Sequence, residues 1–73
     1  MIFIEVRVNK RLGNKLRKLR VDNKMTQQQL ADTFGLSVSA VSMYEMGKRV
    51  PSDAIKRKYS MFFDKDIENI FFN

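Results

Sequence analysis

The chain has 73 residues, carries 14 Lys and Arg against 8 Asp and Glu for a net charge of +6, and contains neither Cys nor His. A chain of that length makes one small domain with a marginal core, which a partner subunit often helps, and its charge favours a polyanion or an anionic membrane surface. Without thiols, imidazoles or clustered carboxylates it offers no disulfide, no usual zinc site and no acid–base pair, so neither an enzyme nor a metal or cofactor protein is expected.

Residues 1–8 are too short and too charged for a signal-peptide core, and no apolar run approaches the roughly 20 residues of a membrane span. Ile2, Ile4, Val6 and Val8 alternate with Phe3, Glu5 and Arg7, the period of a short β-strand. Residues 1–11 are therefore expected to be an extension ahead of a domain over 12–73. Nothing else in the chain reads as a strand, so this one would pair with its twin or with a partner's sheet. It also has a non-structural reading. Glu5-Val6-Arg7 can be encoded by a ribosome-binding sequence with Val8 as a GTG start, which the nucleotide sequence upstream of codon 9 decides.

From Gly13 the pattern becomes helical, with Leu12, Leu16 and Leu19 recurring among Lys15, Arg17, Lys18 and Arg20. Asp22-Asn23-Lys24 breaks that run. Thr26 is placed to cap a second helix, with Gln29 at the capping-box position, Leu30, Ala31 and Phe34 inward, and Gly35 as its stop. Ser37 can cap a third helix that turns Val41 and Tyr44 to the core and ends at Gly47. After Pro51, Ser52 or Asp53 starts a fourth helix with the stripe Ile55, Tyr59, Phe62 and Phe63. Asp64 or Asp66 starts a short fifth with Ile67, Ile70 and Phe71. The expected fold is all-α: five short helices, no linker and no repeat.

The gap Gly35-Leu36-Ser37 is so short that helices two and three must cross steeply, which is helix-turn-helix geometry. The second helix of such a pair can enter the major groove of a duplex, where its outer face must be small or hydrogen-bonding. Ser37, Val38, Ser39, Ser42 and Met43 make such a face: the hydroxyls can donate or accept, and Val38 or Met43 can meet a thymine methyl.

The stretch from Leu16 to Asp53 resembles the helix-turn-helix domain of the phage-repressor/Cro type, the XRE family. The resemblance rests on Leu19-Arg20, Thr26-Gln27, Leu30-Ala31, Gly35, Ser37, Val41, Tyr44-Glu45, Gly47-Lys48 and Pro51, and it extends over about residues 12–72. It implies a compact five-helix repressor-like domain in which Arg20 and Glu45 form a buried ion pair. It further implies that Gln27 touches a phosphate or the first base of a half-site, that the face from Ser37 to Met43 reads bases, and that Lys48 and Arg49 hold phosphate. The basic first helix, with Lys15, is expected to add phosphate contacts. Two positions depart from the family pattern: Lys24 stands where Gly is common, and Met46 replaces a common Asn.

Met61, Phe62, Phe63, Ile67, Ile70, Phe71 and Phe72 are more large apolar side chains than one small core requires. The last two helices are therefore expected to form a homodimer interface through Phe62, Phe63, Ile67, Ile70, Phe71 and Phe72. Lys56, Arg57 and Lys58 read as a solvated face. The expected function is that of a cytoplasmic, sequence-specific regulator of transcription, a Cro-like repressor of a phage or mobile element. It would bind double-stranded operator DNA with palindromic symmetry and take no small-molecule ligand. The rival is an antitoxin or anti-repressor that keeps the fold but masks a protein partner.

Overall fold

The helices begin where a short polar side chain can satisfy the free N–H groups of a first turn. Asn9 accepts from the Leu12 amide at 3.1 Å and opens α1 (Lys10–Asp22). Thr26 and Gln29 form the full capping box at 3.1 and 2.9 Å and open α2 (Gln27–Phe34). Ser37 caps α3 (Val38–Glu45) and Ser52 caps α4 (Asp53–Phe63). Asp66 stands at the N-cap of α5 (Ile67–Phe71) without a side-chain cap bond. The computed structural model describes residues 8–72, all-helical over these five elements. The expected strand falls outside the described residues apart from Val8, which is exposed and irregular. The first helix starts at Lys10, two residues ahead of the expected domain boundary, because Asn9 supplies a cap. Among the described residues no helix is long and apolar enough to cross a membrane.

Leu12 and Leu16 of α1, Leu30, Ala31 and Phe34 of α2, Val41 and Tyr44 of α3, Ile55, Tyr59 and Phe63 of α4 and Ile70 of α5 close one core. Tyr59 is at its centre, edge-on to Phe34 and Phe71 and stacked on Phe63. Gly35 ends α2 in the left-handed region at φ 69°, with its N–H returning to the last turn, and so sets the short α2–α3 turn. Lys58 reaches across to the Phe34 carbonyl at 2.7 Å, satisfying a carbonyl that the helix end leaves open.

The start of α1 and the end of α3 approach each other backbone to backbone. The Asn9 N–H donates to the Gly47 carbonyl at 2.8 Å. A Cβ on Gly13 would collide with the Glu45 carbonyl, and one on Gly47 with the Asn9 carbonyl. Two backbones thus touch where side chains would hold them apart. This contact fixes where α3 projects.

Lys24, flagged by its departure from glycine, has φ 58° and is exposed. An L side chain in the left-handed region is strained by roughly 1–2 kcal/mol, part of which glycine returns to the greater freedom of its unfolded chain. Lys24→Gly is therefore expected to stabilise the domain by about 0.5–1 kcal/mol, read as a rise in the urea midpoint at unchanged slope.

Two surface expectations change. Lys56 is not a solvated face residue: its side chain is 14% exposed, lies 4.8 Å from the Phe72 ring centroid and 5.6 Å from that of Phe71, and approaches Asp53. Phe63 and Ile70, expected at a dimer interface, are 8% and 3% exposed within the protomer's own core. Ile67 and Phe71 are half-buried, with Phe71 packed on Tyr59. Phe62 and Phe63 are neighbours on one helix and so point to different faces. Phe63 turns inward while Phe62 stays 47% exposed, and Met61 and Phe72 are 82% and 68% exposed.

Candidate nucleic-acid interface

The exposed face of α3 follows from its helical period. Ala40, Val41, Tyr44 and Glu45 are buried. Ser39, Ser42, Met43 and Met46 recur at i, i+3, i+4 and i+7 and form the outward stripe, its ends Ser39 and Met46 exposed and its middle pair half-buried. The first three are among the residues expected to read bases. Met46 is not among them, although the helical period places it on the same stripe. Ser37 is exposed, but its hydroxyl oxygen already accepts the Ala40 amide at 3.1 Å. Val38 is half-buried and packs against the core, which draws it off the outward face toward the flank.

Behind the stripe lies the ion pair. Arg20 Nε and Nη2 meet the two Glu45 oxygens at 2.7 and 2.9 Å, and Nη1 donates to the Met25 carbonyl at 2.7 Å. This is a bidentate, charge-assisted pair that ties the end of α1 both to α3 and to the turn entering α2. The hydrogen bond to Glu45 is the main cause that holds the Arg20 guanidinium above its ordinary pKa, against the opposing effect of burial. Gln27 joins the same carboxylate, donating from Nε2 to Oε1 at 3.2 Å. A carboxylate only accepts, so the Gln27 amide has one possible orientation: nitrogen toward Glu45, with its carbonyl oxygen and second N–H left for an outside partner.

A groove of about 570 Å³ opens beside α3, lined by Gln27, Ser42, Met46 and Lys48 together with Lys10, Asn14 and Arg17 of α1. Lys48 and Arg49 are exposed just past the helix. The structure thus brings together Gln27, Ser42, Lys48 and the ion pair. It does not bring Lys15 with them. Lys15 lies on the far side of α1, where its ammonium donates to the Asn69 carbonyl at 2.9 Å in contact with α5. Lys15, expected to contact phosphate, is thus placed away from this groove, where the α1 residues are Lys10, Asn14 and Arg17. Their i, i+4, i+7 spacing is visible in the sequence and would have found them once the helix start was known.

Comparison with known proteins agrees with this geometry. A family model for the helix-turn-helix domain matches residues 16–70. The chain is 38% identical over 60 residues to an uncharacterized HTH-type transcriptional regulator of Methanocaldococcus jannaschii, covering 82% of this chain and 91% of that one. Among solved structures it is similar to the restriction-modification controller protein C.AhdI from Aeromonas hydrophila, at a TM-score of 0.75 and 31% identity over 85% of this chain and 94% of that one. A matched family spanning most of the chain, the short turn between α2 and α3 and an uncharged outward stripe flanked by cations lead to one assignment: the chain belongs to the XRE-type helix-turn-helix family of DNA-binding transcriptional regulators.

Proposed function

We propose that the protein is a small Cro-like repressor, of the kind carried by phages, mobile elements or restriction–modification loci, that binds a palindromic operator as a homodimer. The observation that carries the reading is the outward stripe of α3. Ser39, Ser42, Met43 and Met46 place hydroxyls and polarizable apolar groups, and no charge, where base edges would lie. Gln27 adds a preset amide at the edge of that stripe, and Lys48 and Arg49 supply the phosphate contacts that give affinity without sequence preference. The exposed Met61, Phe62 and Phe72, with the rims of Ile67 and Phe71, support dimerisation through the C-terminal helices. Two-fold symmetry would then set the recognition helices about 34 Å apart, one turn of DNA. Such a protein would act in the cytoplasm, its occupancy set by its own concentration.

The test is a titration against the duplex flanking its own gene, with a scrambled duplex alongside, at several salt concentrations. Preference for the native duplex is expected, with binding that weakens as salt rises. Ser39→Ala and Ser42→Ala are each expected to reduce that preference by about 1–3 kcal/mol without lowering the melting temperature. Equal weak binding to both duplexes, unchanged by either substitution, would sink the reading. The same apolar patch favours the second reading, an antitoxin or anti-repressor. A stoichiometric complex with the product of a neighbouring gene, and no duplex preference, would establish that instead.

A further inference from the structure

The groove beside α3 contains cations that α3 does not supply. Lys10, Asn14 and Arg17 share one face of α1, all three are exposed, and all line the groove with Ser42, Met46 and Lys48. The carboxylate in that groove is Glu45, and both of its oxygens are taken, by Arg20 and Gln27. Among the described residues, Lys10, Arg17 and Lys48 therefore leave the groove with three uncompensated positive charges. Two other α1 cations differ. Lys18 is paired with Asp22 at 2.9 Å, and Lys15 is bonded to α5. Among the described residues Arg17 forms no ion pair.

Position decides what such a face can take. α1 crosses the C-terminal end of α3 at the Gly13–Glu45 contact, beside the outward stripe rather than along it. On the reading that Ser39 and Ser42 face base edges, an α1 face beside that stripe would meet the sugar–phosphate backbone at the border of the DNA groove. Two cations with an amide donor between them suit anionic oxygens, and their place across the groove from the stripe rather than on it favours the backbone over a base edge. Resting on the DNA-binding reading above, we infer that Lys10, Asn14 and Arg17 form a phosphodiester clamp that grips the backbone flanking the half-site. The clamp widens the footprint beyond the helix-turn-helix itself. The contact between Asn9 and Gly47 holds it in fixed register with α3.

The experiment compares Arg17→Ala and Asn14→Ala with Lys18→Ala, which removes an equal charge from another face of the same helix. Binding of the full chain to the native and scrambled duplexes is followed by fluorescence anisotropy across a salt series, with circular dichroism melts to confirm folding. Arg17→Ala is expected to weaken both duplexes alike, about five- to tenfold, and to lower the slope of log affinity against log salt by about 1. Asn14→Ala should weaken both alike with the slope unchanged, and Lys18→Ala should stay near the parent protein. Arg17→Ala behaving as Lys18→Ala would overturn the clamp. Loss confined to the native duplex would overturn it too, making Arg17 a base reader. If the parent protein binds neither duplex, the DNA-binding reading falls and the clamp with it. If it binds both equally, only the operator-specific reading fails, and the salt slopes still decide the clamp.

Discussion

Replacing Glu45 with Leu is expected to destabilise the domain by about 3–5 kcal/mol, because it leaves the Arg20 guanidinium buried without its counter-charge. In a domain of this size that corresponds to a fall in melting temperature of roughly 15–30 °C, enough to unfold much of the protein near physiological temperature. Arg20→Met is expected to be similarly severe, since it strands the carboxylate and frees the Met25 carbonyl. The double variant Arg20→Met/Glu45→Leu should recover most of the loss. Bringing two charges out of water nearly offsets their attraction, and well-packed apolar groups of similar volume restore the contact. A thermodynamic cycle over the three variants checks this: additive losses would mean that the pair is not a unit. The double variant should fold yet bind DNA less well, because Gln27 loses the carboxylate that orients its amide.

The second large effect is a change of sign. Alanine in place of glycine inside an exposed helix usually stabilises by about 1 kcal/mol. Gly13→Ala should instead destabilise by about 3 kcal/mol or more, because the new methyl would meet the Glu45 carbonyl and the Gly47 nitrogen, backbone atoms with no rotamer to yield. Gly35→Ala is the control. It has open space around its Cβ and suffers only the left-handed backbone strain, about 1–2 kcal/mol. Urea denaturation of the two variants separates the mechanisms, and equal modest losses would show that α1 can slide away from α3 at little cost. Gly13→Ala should also weaken DNA binding beyond its effect on folding, since α3 is aimed by that contact.

Much of this was legible before any coordinates. Thr26, Gln29, Ser37 and Gly35 declare the boundaries of α2 and α3 through hydrogen bonds that are local in sequence, and the structure has each of them. The partnership of Arg20 with Glu45 came from family resemblance, not from spacing, and it holds at bidentate distances. What could not be read depends on how helices cross. Periodicity marks Phe62, Phe63, Ile70 and Phe71 as apolar, but the α4–α5 packing decides that Phe63 and Ile70 close the core while Phe62 stays outside. Lys56 looks solvated on a wheel, and only the return of α5 sets Phe71 and Phe72 beside it. Lys15 and Arg17 are equally basic, yet α5 draws one and the groove the other. Gly13 reads as a plain helical residue because its reason lies some thirty residues away.

The sharing of Glu45 between Arg20 and Gln27 bears on how this protein can evolve. Ser39 and Ser42 bond to nothing within the described residues through their side chains, so mutation can explore both positions while the fold stays intact. Gln27 lacks that liberty, because its amide is one of the groups that saturate a buried carboxylate. If α3 reads the operator as proposed, duplicated copies in one genome could drift to separate operators through α3 alone and escape cross-talk. Gln27, held by its bond to Glu45, would persist among them as a common inheritance.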